Sequence, residues 1–128
     1  MEELYVDQLM SRPVETVTPE TPIRDAAAAL VRHDVGALVV LDERDRLEGI
    51  LTATDFVLLV RDGTASADAT VGEFARTDVI TTTRDAPASD VAATMLDRRI
   101  HHVPVVDGDD VVGMVTSVDL AARLARST

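Results

Sequence analysis

The chain has 128 residues, a formal net charge of −11 and 46% hydrophobic residues, which suits one compact unit or two small halves sharing a core and excludes wholesale disorder. No apolar run reaches the roughly 18 residues of a membrane span, and the absence of Cys excludes disulfides, thiolate metal sites and a thiol nucleophile. The acidic opening Met1-Glu2-Glu3 points away from a leader peptide. A cytoplasmic protein with no membrane partner is therefore expected. Nucleic acid is not expected as a main partner, because phosphate neutralisation needs a basic stripe. The 12 Lys and Arg residues are all Arg, and Asp outnumbers Glu. Short, strongly hydrated carboxylates without lysine stems suit a halophilic surface, one adapted to concentrated salt, where screening is nearly complete beyond about 3 Å.

In chain order, Val14 to Val17 alternates like a short strand. Thr21-Pro22 supplies a cap and a first-turn proline for a helix from Ile23 to His33. Ala37 to Leu41 reads as a buried strand, the turn 42–46 follows, and Leu47 to Leu51 closes a hairpin. A helix over Thr54 to Val60 ends near Gly63, and a small, polar stretch over 61–68 reads as a linker. The pattern then recurs. A strand over Val79 to Thr82, a helix from Pro87 to about Arg98, strands near Val103–Val106 and Val111–Val115, and a helix over Val118 to Ala125 are predicted.

The recurrence is visible residue by residue. Val6 matches Val71, Val14 matches Val79, Pro22 matches Pro87 and Asp25 matches Asp90, all offset by 65 (90 − 25). Beyond one polar turn the offset becomes 64, as in Gly49 with Gly113, Thr52 with Thr116 and Asp55 with Asp119 (119 − 55). The expected fold class is α/β (α+β): two β-α-β-β-α repeats, packed sheet to sheet with pseudo-two-fold symmetry so that each covers the other's apolar face. The expected division is a first repeat over 1–62 with an N-terminal helix, a linker over 63–69, and a second repeat over 70–128.

Two clusters carry candidate chemistry. The first is the duplicated junction Gly49-x-x-Thr52-x-x-Asp55 and Gly113-x-x-Thr116-x-x-Asp119. Such a junction can be a helix capping box, in which Thr and the acid satisfy orphan N–H groups. Asp rather than Glu in both copies, after a Gly that lets another group approach the backbone, also fits a carboxylate that accepts both hydrogen bonds of a ribose diol. A hydroxyl and free N–H groups at the same helix end suit phosphate or ribose oxygens. The second cluster is Arg98-Arg99-Ile100-His101-His102 before Val103-Pro104-Val105-Val106. The arginines can sit against their helix end, and the histidines can be hydrogen-bonded residues or phosphate contacts. Adjacent strand residues face opposite ways, which argues against a two-His metal site, so no metal is expected. Pro104 lacks an N–H and should lie at a strand start or an edge. The first copy has Gly36-Ala37 where the second has His101-His102, so two sites should bind unequally.

The duplicated unit resembles a tandem pair of cystathionine-β-synthase-type (CBS) domains, a Bateman module. The resemblance rests on Val6-Asp7-Gln8-Leu9-Met10, on His101-His102-Val103-Pro104-Val105-Val106-Asp107 and on both Gly-x-x-Thr-x-x-Asp junctions. It implies two symmetry-related clefts for an adenosine-containing ligand such as AMP, ADP, ATP or S-adenosylmethionine. It also implies that Asp55 and Asp119 hold ribose with Thr52 and Thr116 beside them. His101 and His102 would then contact phosphate, and Thr16, Ile80 and Thr81 would lie near the base. No cofactor is required in this reading. No Gly-x-Ser-x-Gly, Walker or Rossmann pattern points to an enzyme; a metal-dependent hydrolase using His101 or His102 is a distant third. The expected function is a stand-alone regulatory module that senses the ligand and signals to an effector protein. The alternative is a ligand-free scaffold whose helix faces, with Phe56, Leu58, Leu59 and Leu120, build a homodimer.

Overall fold

The computed structural model describes residues 3–63, 66 and 68–126. Met1, Glu2 and part of the expected linker (Thr64, Ala65 and Ala67) lie outside the described residues. In chain order the elements are α1 (Val6–Leu9), β1 (Thr16–Val17), α2 (Ile23–His33), β2 (Ala37–Leu41), β3 (Leu47–Thr52), α3 (Ala53–Asp62), α4 (Val71–Phe74), α5 (Ala88–Arg98), β4 (His102–Asp107), β5 (Asp110–Thr116) and α6 (Ser117–Ala125). These form two compact units: residues 15–79, and residues 1–14 together with 80–128. Helix α1, expected in the first repeat, thus belongs to the unit that contains 80–128, and α4, expected in the second, belongs to the unit of 15–79.

In the unit over 15–79, α2 follows Pro22, whose fixed φ suits an entering chain, and stops where Asp34 turns left-handed at φ 52. Its Ile23, Ala26 and Leu30, at helical spacing, are buried. They meet Leu38 and Val40 of β2, Leu51 of β3, Leu59 of α3 and Val71 of α4 in one core. The sheet runs β1-β2-β3, with β1 parallel and β3 antiparallel to β2. The hairpin turn is held by Asp42, whose Oδ1 accepts from the N–H groups of Arg44 and Arg46 at 2.8 and 3.0 Å. Those two hydrogen bonds hold the Asp42 carboxyl below its ordinary pKa.

The unit of 1–14 and 80–128 repeats this plan around Val6, Val91, Met95, Val103, Val105 and Val115. Helix α5 ends at Arg99, left-handed at φ 56, the counterpart of Asp34 (99 − 34 = 65). The second hairpin turns at Gly108, with φ 62, and is one residue shorter, which accounts for the change of offset.

The strand expected over Val79 to Thr82 is reduced to a single parallel bridge, Thr82 to Val105. Its bonds run from Thr82 N–H to the Pro104 carbonyl and from Val106 N–H to the Thr82 carbonyl, at 3.0 and 2.9 Å. In the first unit the next rung is donated by Val39 N–H to the Glu15 carbonyl at 3.0 Å. The residue equivalent to Val39 is Pro104 (104 − 39 = 65), which has no N–H. That missing donor cuts the ladder short. Pro104 itself is the third residue of β4.

Candidate functional site

Both Thr-x-x-Asp junctions close as helix caps. At α3, Asp55 Oδ2 accepts from the Thr52 N–H at 2.8 Å and from its hydroxyl at 3.1 Å. At α6, Asp119 Oδ2 accepts from the Thr116 N–H at 2.9 Å, and Thr116 Oγ1 accepts from the Asp119 N–H at 3.1 Å. Asp thus reaches back far enough to complete the box, and its presence in place of Glu does not by itself argue for a ligand. The two junction glycines likewise have neighbours within the chain. A Cβ on Gly49 would lie 2.8 Å from the Arg76 carbonyl, and one on Gly113 would lie 2.7 Å from Met10 Sδ. The group that approaches each glycine is the chain's own segment.

The second oxygen of each carboxylate distinguishes the copies. Asp55 Oδ1 takes the Arg76 guanidinium through Nε at 3.0 Å and Nη2 at 2.9 Å. Asp55 is 7% exposed. Asp119 Oδ1 instead accepts the Ser11 hydroxyl at 2.9 Å, and Asp119 is only partly buried. Arg76 and Ser11 occupy equivalent positions (76 − 11 = 65). Neither was singled out from the sequence. The signal available was that mismatch, serine against arginine, just ahead of the strand in each copy.

The structure brings His101 and His102 to the Asp119 side. His102 faces Thr116 in the β4–β5 register, and the His101 carbonyl accepts the Ser117 N–H at the start of α6, at 3.0 Å. The His102 side chain is half-buried, and that burial, reinforced by the neighbouring His101, lowers its pKa below 6.5, while the Asp119 carboxylate opposes the shift. His102 is accordingly neutral near pH 7. In the other unit the Gly36 carbonyl accepts the Ala53 N–H at 2.9 Å, and Ala37 faces Thr52, so the same backbone frame carries no cationic side chain.

The residues expected near a base are Thr16, Ile80 and Thr81. Thr16 is exposed on β1 and pairs with Val39. Ile80 precedes the Thr82 bridge. Thr81 lines a shallow depression with Thr82, Asp90, Val91, Thr94 and Val103. Of the residues expected to build a dimer face, Leu59 is core, and Phe56 and Leu120 pack against their own unit's core. The large apolar side chains of these helices that are exposed are instead Val57 and Val60 on α3 and Val118 and Leu124 on α6. Among the described residues no group of three or more His, Asp or Glu is placed to hold a metal ion. No described helix is long and apolar enough to cross a membrane.

The CBS domain family model matches residues 6–62 and 71–126. The chain belongs to the CBS domain family. L-aspartate semialdehyde sulfurtransferase of Methanocaldococcus jannaschii is 35% identical over 117 residues, which is 91% of this chain and 22% of that protein. The chain therefore spans about a fifth of that relative's length. Hypoxic response protein 1 of Mycobacterium tuberculosis is 32% identical over 91% of this chain and 82% of its own. Among solved structures, the CBS domain pair of protein MJ0100, in complex with 5′-methylthioadenosine and S-adenosyl-L-methionine, superposes with a TM-score of 0.91 at 31% identity, covering 99% of this chain and 100% of that one. The mixed α/β fold is thus that of a tandem CBS pair.

Proposed function

We propose that this CBS pair is a regulatory module that binds an adenosine-containing ligand at the second repeat, with Asp119 and Thr116 toward the ribose and His101 and His102 toward a phosphate. The carrying observation is the carboxylate of Asp119. After its cap bond and the Ser11 hydroxyl are counted, about two of the roughly four acceptor positions of a carboxylate remain, enough for a vicinal diol. The half-buried, neutral His102 beside it is able to donate one hydrogen bond and to gain a proton against an anion. The ligands of the MJ0100 pair support an adenosine compound. Ile80 and Thr81, in the same unit as Asp119, would lie near the base.

The chain acts in this reading by binding, without turnover and without a required cofactor, in the cytoplasm. A ligand that binds one conformation better than another shifts the population toward it, and an effector protein reads the change. The test is calorimetric titration with AMP, ATP, 5′-methylthioadenosine and S-adenosylmethionine at high salt. Saturable heat with at least one of them supports the proposal; silence with all four contradicts it.

A ligand-free homodimerisation role is favoured by a separate observation, the exposure of Val57 at 67% and Val60 at 82%, one turn apart on α3. A dimer in sedimentation that is lost in a Val57→Glu/Val60→Glu variant, together with calorimetric silence, would support this second role instead.

A further inference from the structure

Resting on the reading that Asp119 holds an adenosine ligand, we propose that Arg76 is a specificity-determining residue that keeps the equivalent site at Asp55 closed, so that each chain takes one ligand molecule.

Asp55 has too few open acceptors for a diol. It accepts hydrogen bonds from the Thr52 N–H at 2.8 Å, the Thr52 hydroxyl at 3.1 Å and Arg76 Nε at 3.0 Å, and Arg76 Nη2 lies against the same Oδ1 as an ion pair at 2.9 Å. Three of the roughly four acceptor positions of the carboxylate are taken and Nη2 crowds the fourth, so an incoming diol does not find the two it needs. To enter, it must displace the guanidinium. A diol offers two neutral hydrogen bonds, whereas the guanidinium offers charge-assisted ones, each roughly twice as strong. The guanidinium is also tethered to the chain and loses no translational freedom on binding. Displacement would leave a carboxylate that is 7% exposed without its counter-charge. Arg76 itself is half exposed, which weakens the pair by screening but does not free an acceptor.

The surroundings point the same way. Gly36 and Ala37 stand where the other copy has His101 and His102, so a phosphate arriving at Asp55 meets no replacement cation there. At Asp119 the place of Arg76 is taken by Ser11, a single neutral hydroxyl that can rotate its O–H elsewhere.

The test exchanges the two residues and reads stoichiometry by calorimetry at high salt, with 5′-methylthioadenosine and AMP as probes and thermal melts as the check on folding. The wild type is expected to bind one molecule per chain, Arg76→Ser two, and Ser11→Arg none, its affinity reduced at least 100-fold. Two molecules per chain in the wild type overturn the inference, as does a folded Arg76→Ser that stays at one. Should Arg76→Ser fail to fold, Ser11→Arg decides: binding that survives beside the new arginine contradicts its closing role. A wild type that binds nothing while Arg76→Ser gains one site upholds the closure and refutes only the assignment to Asp119. Silence in both refutes the assignment and the closure with it.

Discussion

Arg76 holds Asp55 through Nε and Nη2, both directed at the single oxygen Oδ1, at 3.0 and 2.9 Å. This joins the residues just after α4 to the start of α3, and the Arg76 carbonyl also ties them to β3 by accepting the Ile50 N–H at 2.9 Å. Removing the side chain leaves Asp55 buried with only its own cap. Arg76→Ala is expected to destabilise the fold by about 1–3 kcal/mol, below the cost of breaking a fully buried pair because the guanidinium is half exposed. Urea denaturation measures it, and an unchanged midpoint would show that the pair contributes nothing.

The two junction glycines are expected to respond differently to alanine. At Gly49 the new Cβ meets the Arg76 backbone carbonyl, whereas at Gly113 it meets the flexible Met10 side chain along Sδ, Cγ and Cβ. Backbone must move in the first case; a thioether turns away in the second. Gly49→Ala should cost about 2 kcal/mol or more and Gly113→Ala about 1 kcal/mol or less. Equal losses in melting experiments contradict this account.

Most of the architecture was legible in the sequence because each repeat presents the same signals twice. Pro22 and Pro87 start helices, the apolar run 37–41 is short enough for a buried strand, and the change of offset falls on the hairpin. What escaped reading was governed by tertiary partners. The strand expected over Val79 to Thr82 fails because its partner has Pro104 where Val39 donates. The glycines and aspartates of the junctions carried three meanings: the cap, the packing neighbour and a ligand contact all ask for the same residues. Arg76 and Ser11 were marked in the sequence only by their mismatch at equivalent positions; the fold is what carries them to Asp55 and Asp119.

In the proposed reading, His102 is expected to make both stability and binding depend on pH. Its pKa in the fold lies below the ordinary 6.5, so the unfolded chain takes up a proton first as the pH falls. Stability is therefore full above about pH 6.5 and declines as the pH drops toward the folded-state pKa, below which the loss is constant. A bound phosphate reverses the preference and raises the pKa, so AMP should bind more tightly at pH 6 than at pH 7.5, by at most about tenfold per pH unit for one proton taken up. His102→Asn removes this protein contribution. A pH slope for AMP that is identical in the variant would contradict the phosphate assignment.

With a net charge of −11 and no lysine, carboxylate repulsion is expected to grow on dilution from molar to millimolar salt. The melting temperature should then fall. A melting temperature that holds steady across the series would remove the idea of a salt-adapted surface.

The most direct test of the central claim pairs a deletion in the protein with a deletion in the ligand. Asp119→Ala should weaken binding of 5′-methylthioadenosine or AMP by about 1–3 kcal/mol, and an analogue lacking both ribose hydroxyls should bind the wild type about as weakly. If Asp119 grips the diol, the two losses are not additive, and the variant no longer distinguishes the analogue from the parent ligand. Fully additive losses, or an affinity unchanged by Asp119→Ala, would contradict the account.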